Sequence, residues 1–360
     1  MDELGRFCRD LLSPIPRSDQ RRWGEVYIRG LVEVPGRKSL RRIAEQVIGR
    51  PADQGLQQFV NQSPWDHAAV RHVLAHSLAD VLRPRAWVIA EAAFPKNGDK
   101  SVGVTRQFAV TEGRRMNCQL ALAVLLVGDA GACPVDWRLL LPKSWDQDEE
   151  RRALAGVPDT IRHQPRPRHI LDSVDELRTV AGLRPAPVIV PAEPDPDVLR
   201  LVTGLEERGL PYLVRVAGNT ALPGGVTVGD LAARTAGSGG LTLWRDGAGA
   251  SRFTSVLLRH RRAVPSTDRK LIAEWATRGR PLKSVWLTNL PHTDLYDLTG
   301  LINLRHSAAD GLARMSQETG LRHFEGRSFR GWHHHVTLSS IAWGYRLRQN
   351  AARPGLRTAI

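Results

Sequence analysis

Ala86-Trp87-Val88-Ile89-Ala90, five apolar residues in a row, mark the point at which the chain changes character. A short apolar run rich in β-branched and aromatic side chains reads as a buried strand. Upstream of it, residues 1–82 read as helical. Leu40, Ile43, Ala44 and Val47 keep helical spacing, and Gly49 closes that segment. Leu56, Phe59 and Val60 follow on a second short helix. Asp66 is placed to cap a third, which carries Val70, Val73, Leu74, Leu78 and Leu82. Arg37, Lys38, Arg41 and Arg42 lie among these helices. They suit either a helix-turn-helix reader of DNA or a helical bundle with a solvated basic face.

Downstream, strands and helices alternate. Arg106 to Thr111, Gln119 to Val127 and Trp137 to Leu141 read as strands, with Gly113-Arg114-Arg115 and Gly128-Asp129-Ala130-Gly131 as turns. Asp129 and Asp136 are expected to be solvated. Asp148 to Ala155 and Ile170 to Ala181 read as helices, Val188-Ile189-Val190 as a buried strand, Asp197 to Arg208 as a helix and Tyr212 to Val216 as a strand. This alternation implies an α/β core. Residues 217–265 read as an insertion, with Leu241 to Trp244 and Phe253 to Leu258 forming an antiparallel hairpin. Ser284 to Leu287 is a further strand. A long helix from about Thr293 to Thr319 is stopped by Gly320, and an apolar helix covers roughly Val336 to Leu347. The expected organisation is a helical domain over 1–82, an α/β domain over 83–347 and a basic tail over 348–360.

Composition narrows the classes of function. The 360 residues carry a formal charge of +14, which suggests a polyanionic partner. Of the 51 basic residues only six are lysine, and a gene rich in G and C gives the same arginine excess, so charge alone does not decide. The longest apolar stretch, Leu120 to Val127, is far too short to cross a bilayer, and Met1-Asp2-Glu3-Leu4 does not open a signal peptide. A cytoplasmic protein without a membrane partner is expected. Cys8, Cys118 and Cys133 are scattered and odd in number, with no metal-ligand spacing.

Three segments carry a more specific signal. The first is Phe94-Pro95-Lys96-Asn97-Gly98-Asp99-Lys100-Ser101-Val102-Gly103-Val104, followed by Arg106-Gln107 and Asn117-Cys118-Gln119. The second is Leu141-Pro142-Lys143-Ser144-Trp145, with Arg151-Arg152 and Ala155-Gly156-Val157-Pro158. The third is Gly320-Leu321, then His323-Phe324-Glu325-Gly326-Arg327-Ser328-Phe329-Arg330-Gly331-Trp332-His333-His334-His335. In this order they resemble the signature stretches of bacterial insertion-sequence transposases of the DDE superfamily. The resemblance implies a ribonuclease-H-like α/β core with an inserted β hairpin, preceded by the helical domain.

In that family three carboxylates hold two divalent metal ions, because Mg²⁺ prefers hard oxygen ligands during in-line displacement at a phosphodiester. The matching positions here are Glu91, in Ala90-Glu91-Ala92; Pro191, by an ungapped count back from Gly209-Leu210-Pro211-Tyr212; and Ala309, in Arg305-His306-Ser307-Ala308-Ala309. Pro191 and Ala309 have no ligand atom. A basic helper position becomes Ser316, while Arg305 is retained. Glu193, Asp195, Asp197 and Asp310 are neighbours that would have to substitute. The resemblance therefore implies a transposase-derived protein that binds double-stranded DNA, with no catalytic acids, metal or cofactor. The alternative is an active, Mg-dependent transposase. The candidate DNA contacts are Lys96, Lys100, Lys143, Arg305, Arg327, Arg330, Trp332 and His333, with Trp65 and Trp145 as further stacking candidates. The histidine run is expected to be structural or DNA-facing, since consecutive helical residues point in different directions. A homodimer is compatible with this reading.

Overall fold

Helix ends obey their capping residues. In the computed structural model, which describes residues 2–191, 197–222, 224–245, 249–259, 268–277 and 281–352, Asp2 caps α1 (Glu3–Leu11) by accepting the Gly5 N–H. Then come α2 (Ser18–Glu33), α3 (Leu40–Ile43), which runs on into a π-helical turn at Ala44–Ile48, and α4 (Asp53–Asn61). Gly49 takes the left-handed conformation that ends that turn. The Asp66 carboxylate accepts the Ala68 N–H and starts α5 (His67–Leu82).

The apolar pentapeptide lies in β1 (Ala86–Pro95). It is followed by β2 (Thr105–Ala109), β3 (Arg114–Gly128) and β4 (Gly131–Leu140). The β3–β4 turn demands glycine at 128, where a Cβ would lie 1.9 Å from the Leu82 carbonyl oxygen. Next are α6 (Lys143–Asp146), α7 (Glu149–Ala155), α8 (Arg166–Thr179), β5 (Val188–Val190), α9 (Val198–Glu207) and β6 (Tyr212–Val216). The strands stand in the order β2-β3-β1-β5-β6, with β4 also paired to β3. β1 is antiparallel to β3 and parallel to β5, and β5 is parallel to β6. With elements packed on both faces, the long helix Leu295–Thr319 on one and the start of α8 on the other, β1 is apolar throughout except for Glu91 and shows no alternation. This is the ribonuclease-H-like α/β core that the sequence implied.

The insertion is larger than one hairpin. It holds α10 (Val228–Thr235), β7 (Leu241–Arg245), β8 (Gly249–Leu258) and a strand absent from the sequence reading, β9 (Arg269–Ala276). β9 pairs with β8 and with β10 (Leu282–Thr288), so the insertion extends the main sheet through β10 and β6. Glu274 interrupts the apolar pattern of β9 and hides the strand. It is buried because Ser251 and Ser284 donate to its carboxylate at 3.0 and 2.7 Å and Arg305 donates at 2.9 Å.

α11 (Leu295–Thr319) ends at Gly320, with φ of 66°. The last helix, α12 (Phe329–Ala352), is two turns longer at its start than its apolar run suggested. Its polar first turns are buried, because α12 lies among α2, α4, α5 and β4. One hydrophobic core consequently runs from Leu4 to Leu347, joining the N-terminal helices to the sheet. Residues 353–360 of the expected basic tail lie outside the described residues, and 348–352 continue α12. No helix among the described residues is long and apolar enough to cross a membrane.

Candidate functional site

Alternation along β1 sorts its side chains between two faces of the sheet. Ala90 pairs with Ala123, which pairs with Trp137. The Trp137 indole donates to Ser340 on α12 at 3.0 Å, so Ala90 belongs to the face covered by α12 and its neighbour α11. Glu91 pairs with Leu122, which pairs with Arg138, and the Arg138 guanidinium donates to Ser173 on α8 at 2.9 Å. Glu91 thus belongs to the opposite face. Its carboxylate accepts the Val110 N–H at 3.2 Å and forms an ion pair with Arg166, the first residue of α8. In the run Ala90-Glu91-Ala92 it is therefore the two alanines, and not Glu91, that look toward the α11 face.

A cavity of about 610 Å³ opens at this end of the sheet, and Glu91, Pro191 and Ala309 all line it. Pro191 follows the last residue of β5, and Ala309 lies on the exposed side of α11. Arg305 and Ser316 line the same cavity. The donors do not suit a pair of divalent ions. Two of the three positions carry no oxygen ligand, and the third is a carboxylate already neutralised by an arginine. Other carboxylates nearby are similarly paired: Glu112 with Arg322 at 2.8 Å and Glu274 with Arg305 at 2.9 Å. Asp197 precedes α9 and lies 3.5 Å from Arg200. Asp310 is exposed, about 100° around the helix from Ala309. Glu193 and Asp195 lie outside the described residues. Among the described residues no group of three His, Cys, Asp or Glu side chains is arranged to hold a metal ion.

A second cavity, about 510 Å³, adjoins the first through the shared Arg322. Arg37, Lys96, Lys100, Arg322 and Arg327 line it. The first signature segment forms one wall. The Asn117 side-chain amide donates to the carbonyls of Lys96 and Gly98, both at 2.9 Å, and Gln119 donates to the Val102 carbonyl at 2.6 Å. The third signature segment forms the other wall, tied across by the Val102 N–H to the Arg327 carbonyl at 2.9 Å. The Lys96 ammonium donates to the Phe324 carbonyl at 2.6 Å, and burial pulls its pKa down to about 8. Glu325 on this wall pairs with Arg37.

Lys96, Lys100 and Arg327 are thus brought together, and the remaining candidates are not. Lys143 is exposed on α6 away from the groove lining, and Arg305 is inside the first cavity. Arg330 is exposed and donates to the Gln62 carbonyl at 2.9 Å. Trp332 and His333 are buried and unable to touch DNA. Trp332 packs edge-on against Phe94 and Trp137, and His333 accepts from Arg71. Trp65 and Trp145 are buried too. Trp65 is stacked on His334 with centroids 3.7 Å apart, and the Trp145 indole donates to the Val104 carbonyl at 3.1 Å. Polar neighbours in sequence hide the burial of these rings: Pro64, Asp66, Lys143 and Ser144 are exposed, while the indoles beside them turn inward.

Arg37, Lys38, Arg41 and Arg42 do not form one basic helix face. Arg37 lines the groove, Lys38 is buried with its ammonium against the Val34 carbonyl, and Arg41 pairs with Glu45 at 2.8 Å. Asp136 is buried rather than solvated, held by Arg71 at 3.2 Å and Arg138 at 2.9 Å. Of the groove residues, Arg322 is absent from the contacts expected from sequence, and Arg37 figures there only within the helix-turn-helix reading. They approach the Phe94–Val104 segment only through the tertiary fold.

The family model described as DDE superfamily endonuclease matches residues 10–246, and the chain belongs to that family. It is related to insertion-sequence transposases. It is 28% identical, over 185 residues, to a probable transposase for insertion sequence element IS701 from Microchaete diplosiphon; the match covers 51% of this chain and 45% of that protein.

Proposed function

We propose that this protein is a transposase-derived, cytoplasmic DNA-binding protein that does not cut DNA. The observation that carries the reading is the donor set around the first cavity. Pro191 and Ala309 offer no ligand atom, and Glu91 is tied to Arg166. Two-metal phosphoryl chemistry needs several free carboxylates at one point. The full chain should therefore neither nick nor join a duplex carrying the ends of its element in Mg²⁺ or Mn²⁺. Metal-dependent nicking by the pure protein, lost in Glu91→Ala, would establish the active transposase instead.

The groove supports the DNA-binding half of the proposal. Lys100 and Arg327 are exposed beside Lys96 in one groove, with Arg37 and Arg322, each holding a glutamate, on its wall; such a cluster of cations suits a phosphate backbone. Neutralising about six phosphates corresponds to a slope of log affinity against log salt near −5, from roughly −0.9 per contact. Replacing Lys100 and Arg327 together with alanine is expected to flatten the slope by up to about two units. Fluorescence anisotropy of a labelled duplex across salt concentrations reads this directly. An unchanged slope in the double variant, or affinity no better than millimolar at low salt, would defeat the proposal.

A further inference from the structure

We propose that the cavity lined by Pro191 and Ala309 takes one unstacked nucleobase of a DNA whose phosphates lie along the adjoining basic groove. The inference rests on the DNA-binding reading above.

Electrostatics and shape together select this occupant. Glu91, the carboxylate in the cavity lining, is paired with Arg166, and the two lining arginines hold carboxylates from outside it: Arg322 holds Glu112 and Arg305 holds Glu274. Among the described residues a metal ion finds no spare carboxylate there, and exposed cations to draw a phosphate in, Lys100 and Arg327, line the groove rather than the cavity. A neutral planar ring has neither difficulty. The walls suit it: Ala90, Ala309, Leu312 and Ala313 are small or apolar, while Ser316 and Gln317 bring a hydroxyl and an amide for a base edge. At about 610 Å³ the cavity lies within the usual size range of small-molecule sites.

Continuity supplies the second argument. Phe94 lines the cavity, and the next residues, Pro95 and Lys96, line the groove. Arg322 borders both. A backbone held at Lys96, Lys100 and Arg327 therefore passes the cavity mouth. The result is a mostly apolar recess beside a groove lined by basic side chains. Extruding a base costs a few kcal/mol in a matched duplex and least at a mismatch or bulge.

The test compares a matched duplex with the same duplex carrying one bulged 2-aminopurine. The bulged duplex should bind about tenfold tighter, equivalent to ~1.4 kcal/mol, and its fluorescence should change on binding as the base leaves the stack. Ala313→Trp, at an exposed helical position on the cavity wall, should abolish both the preference and the signal. Gln317→Trp, on the same wall, provides an independent variant should the first fail to fold. Equal affinity for the two duplexes with no fluorescence change overturns the inference and leaves DNA binding standing. Retention of the preference in both filled-cavity variants also overturns it. Failure to bind either duplex removes the DNA-binding reading itself.

Discussion

Lowering the pH from 7 to 5 is expected to remove about 6 kcal/mol of folding stability, comparable to the whole stability of a typical domain, about 5–15 kcal/mol. Four histidines sit at the junction of α12 with the N-terminal helices and are held neutral by burial. The pKa of His334 and of His335 is lowered to about 4, that of His67 to about 2, and that of His333 well below its ordinary value. Desolvation is the leading cause in each case, reinforced at His67 and His333 by the Arg71 guanidinium and opposed at His67 by Asp136.

Hydrogen bonds fix some of these rings. His335 donates through Nε2 to the Leu321 carbonyl at 2.9 Å and accepts the Tyr27 hydroxyl at Nδ1, 2.8 Å away. His334 faces the Val60 carbonyl at 2.8 Å and the Trp65 carbonyl at 3.1 Å, and a neutral ring donates to one of them. His333 stacks on His67 with centroids 4.4 Å apart, which disfavours charging both. A histidine with a depressed folded pKa contributes stability above its unfolded value of about 6.5. That stability is lost as pH falls from there toward the folded value. His67, His334 and His335 each contribute about 2 kcal/mol between pH 7 and 5, His333 adds in the same direction, and the rings titrate independently once unfolded. Urea unfolding midpoints at the two pH values measure the sum. His334→Gln keeps an N–H donor at this position and should remove about 2 kcal/mol of the pH dependence. A midpoint unchanged between pH 7 and 5 would contradict the whole account.

Removing the Asp136 carboxylate should destabilise the protein by about 3–5 kcal/mol, the usual cost of stranding a buried charge. Arg71 is its partner, with a side chain only 5% exposed. The guanidinium also donates to Thr337 at 2.8 Å and to the Trp137 carbonyl at 2.9 Å, joining α5, β4 and α12. Arg138 holds the second Asp136 oxygen and reaches Glu176 on α8, which also meets His72 at 2.8 Å. These arginines hold the Asp136 pKa at about 2 despite burial. Asp136→Ala leaves Arg71 charged in a dry site, whereas Arg71→Met with Asp136→Leu leaves no charge of that pair behind. The double variant should therefore be more stable than Asp136→Ala alone. Thermal or urea melting decides it, and simple addition of the two single effects would show that the pair is not coupled.

What the sequence determined by itself is local. The cap at Asp66, the stop at Gly320 and the apolar runs of β1, β5 and β6 depend on neighbours along the chain, so their elements were legible with small errors at the ends. Family membership was legible for a similar reason, since it rests on short ordered segments.

Tertiary structure alone decided what those segments touch. β9 stayed hidden because Glu274 looks solvated until Arg305, more than thirty residues away in sequence, is brought to it. The polar start of α12 looked like a DNA-facing surface, although α2, α4 and α5 cover it. Ala90 and Glu91 are adjacent in sequence, but pleating sends them to opposite faces of β1, and only the positions of α8 and α11 say which face holds the cavity. Burial and ion pairing are properties of the surroundings of a residue. A sequence shows the residue, and the packed elements around it determine whether its charge is free, paired or absent from the surface.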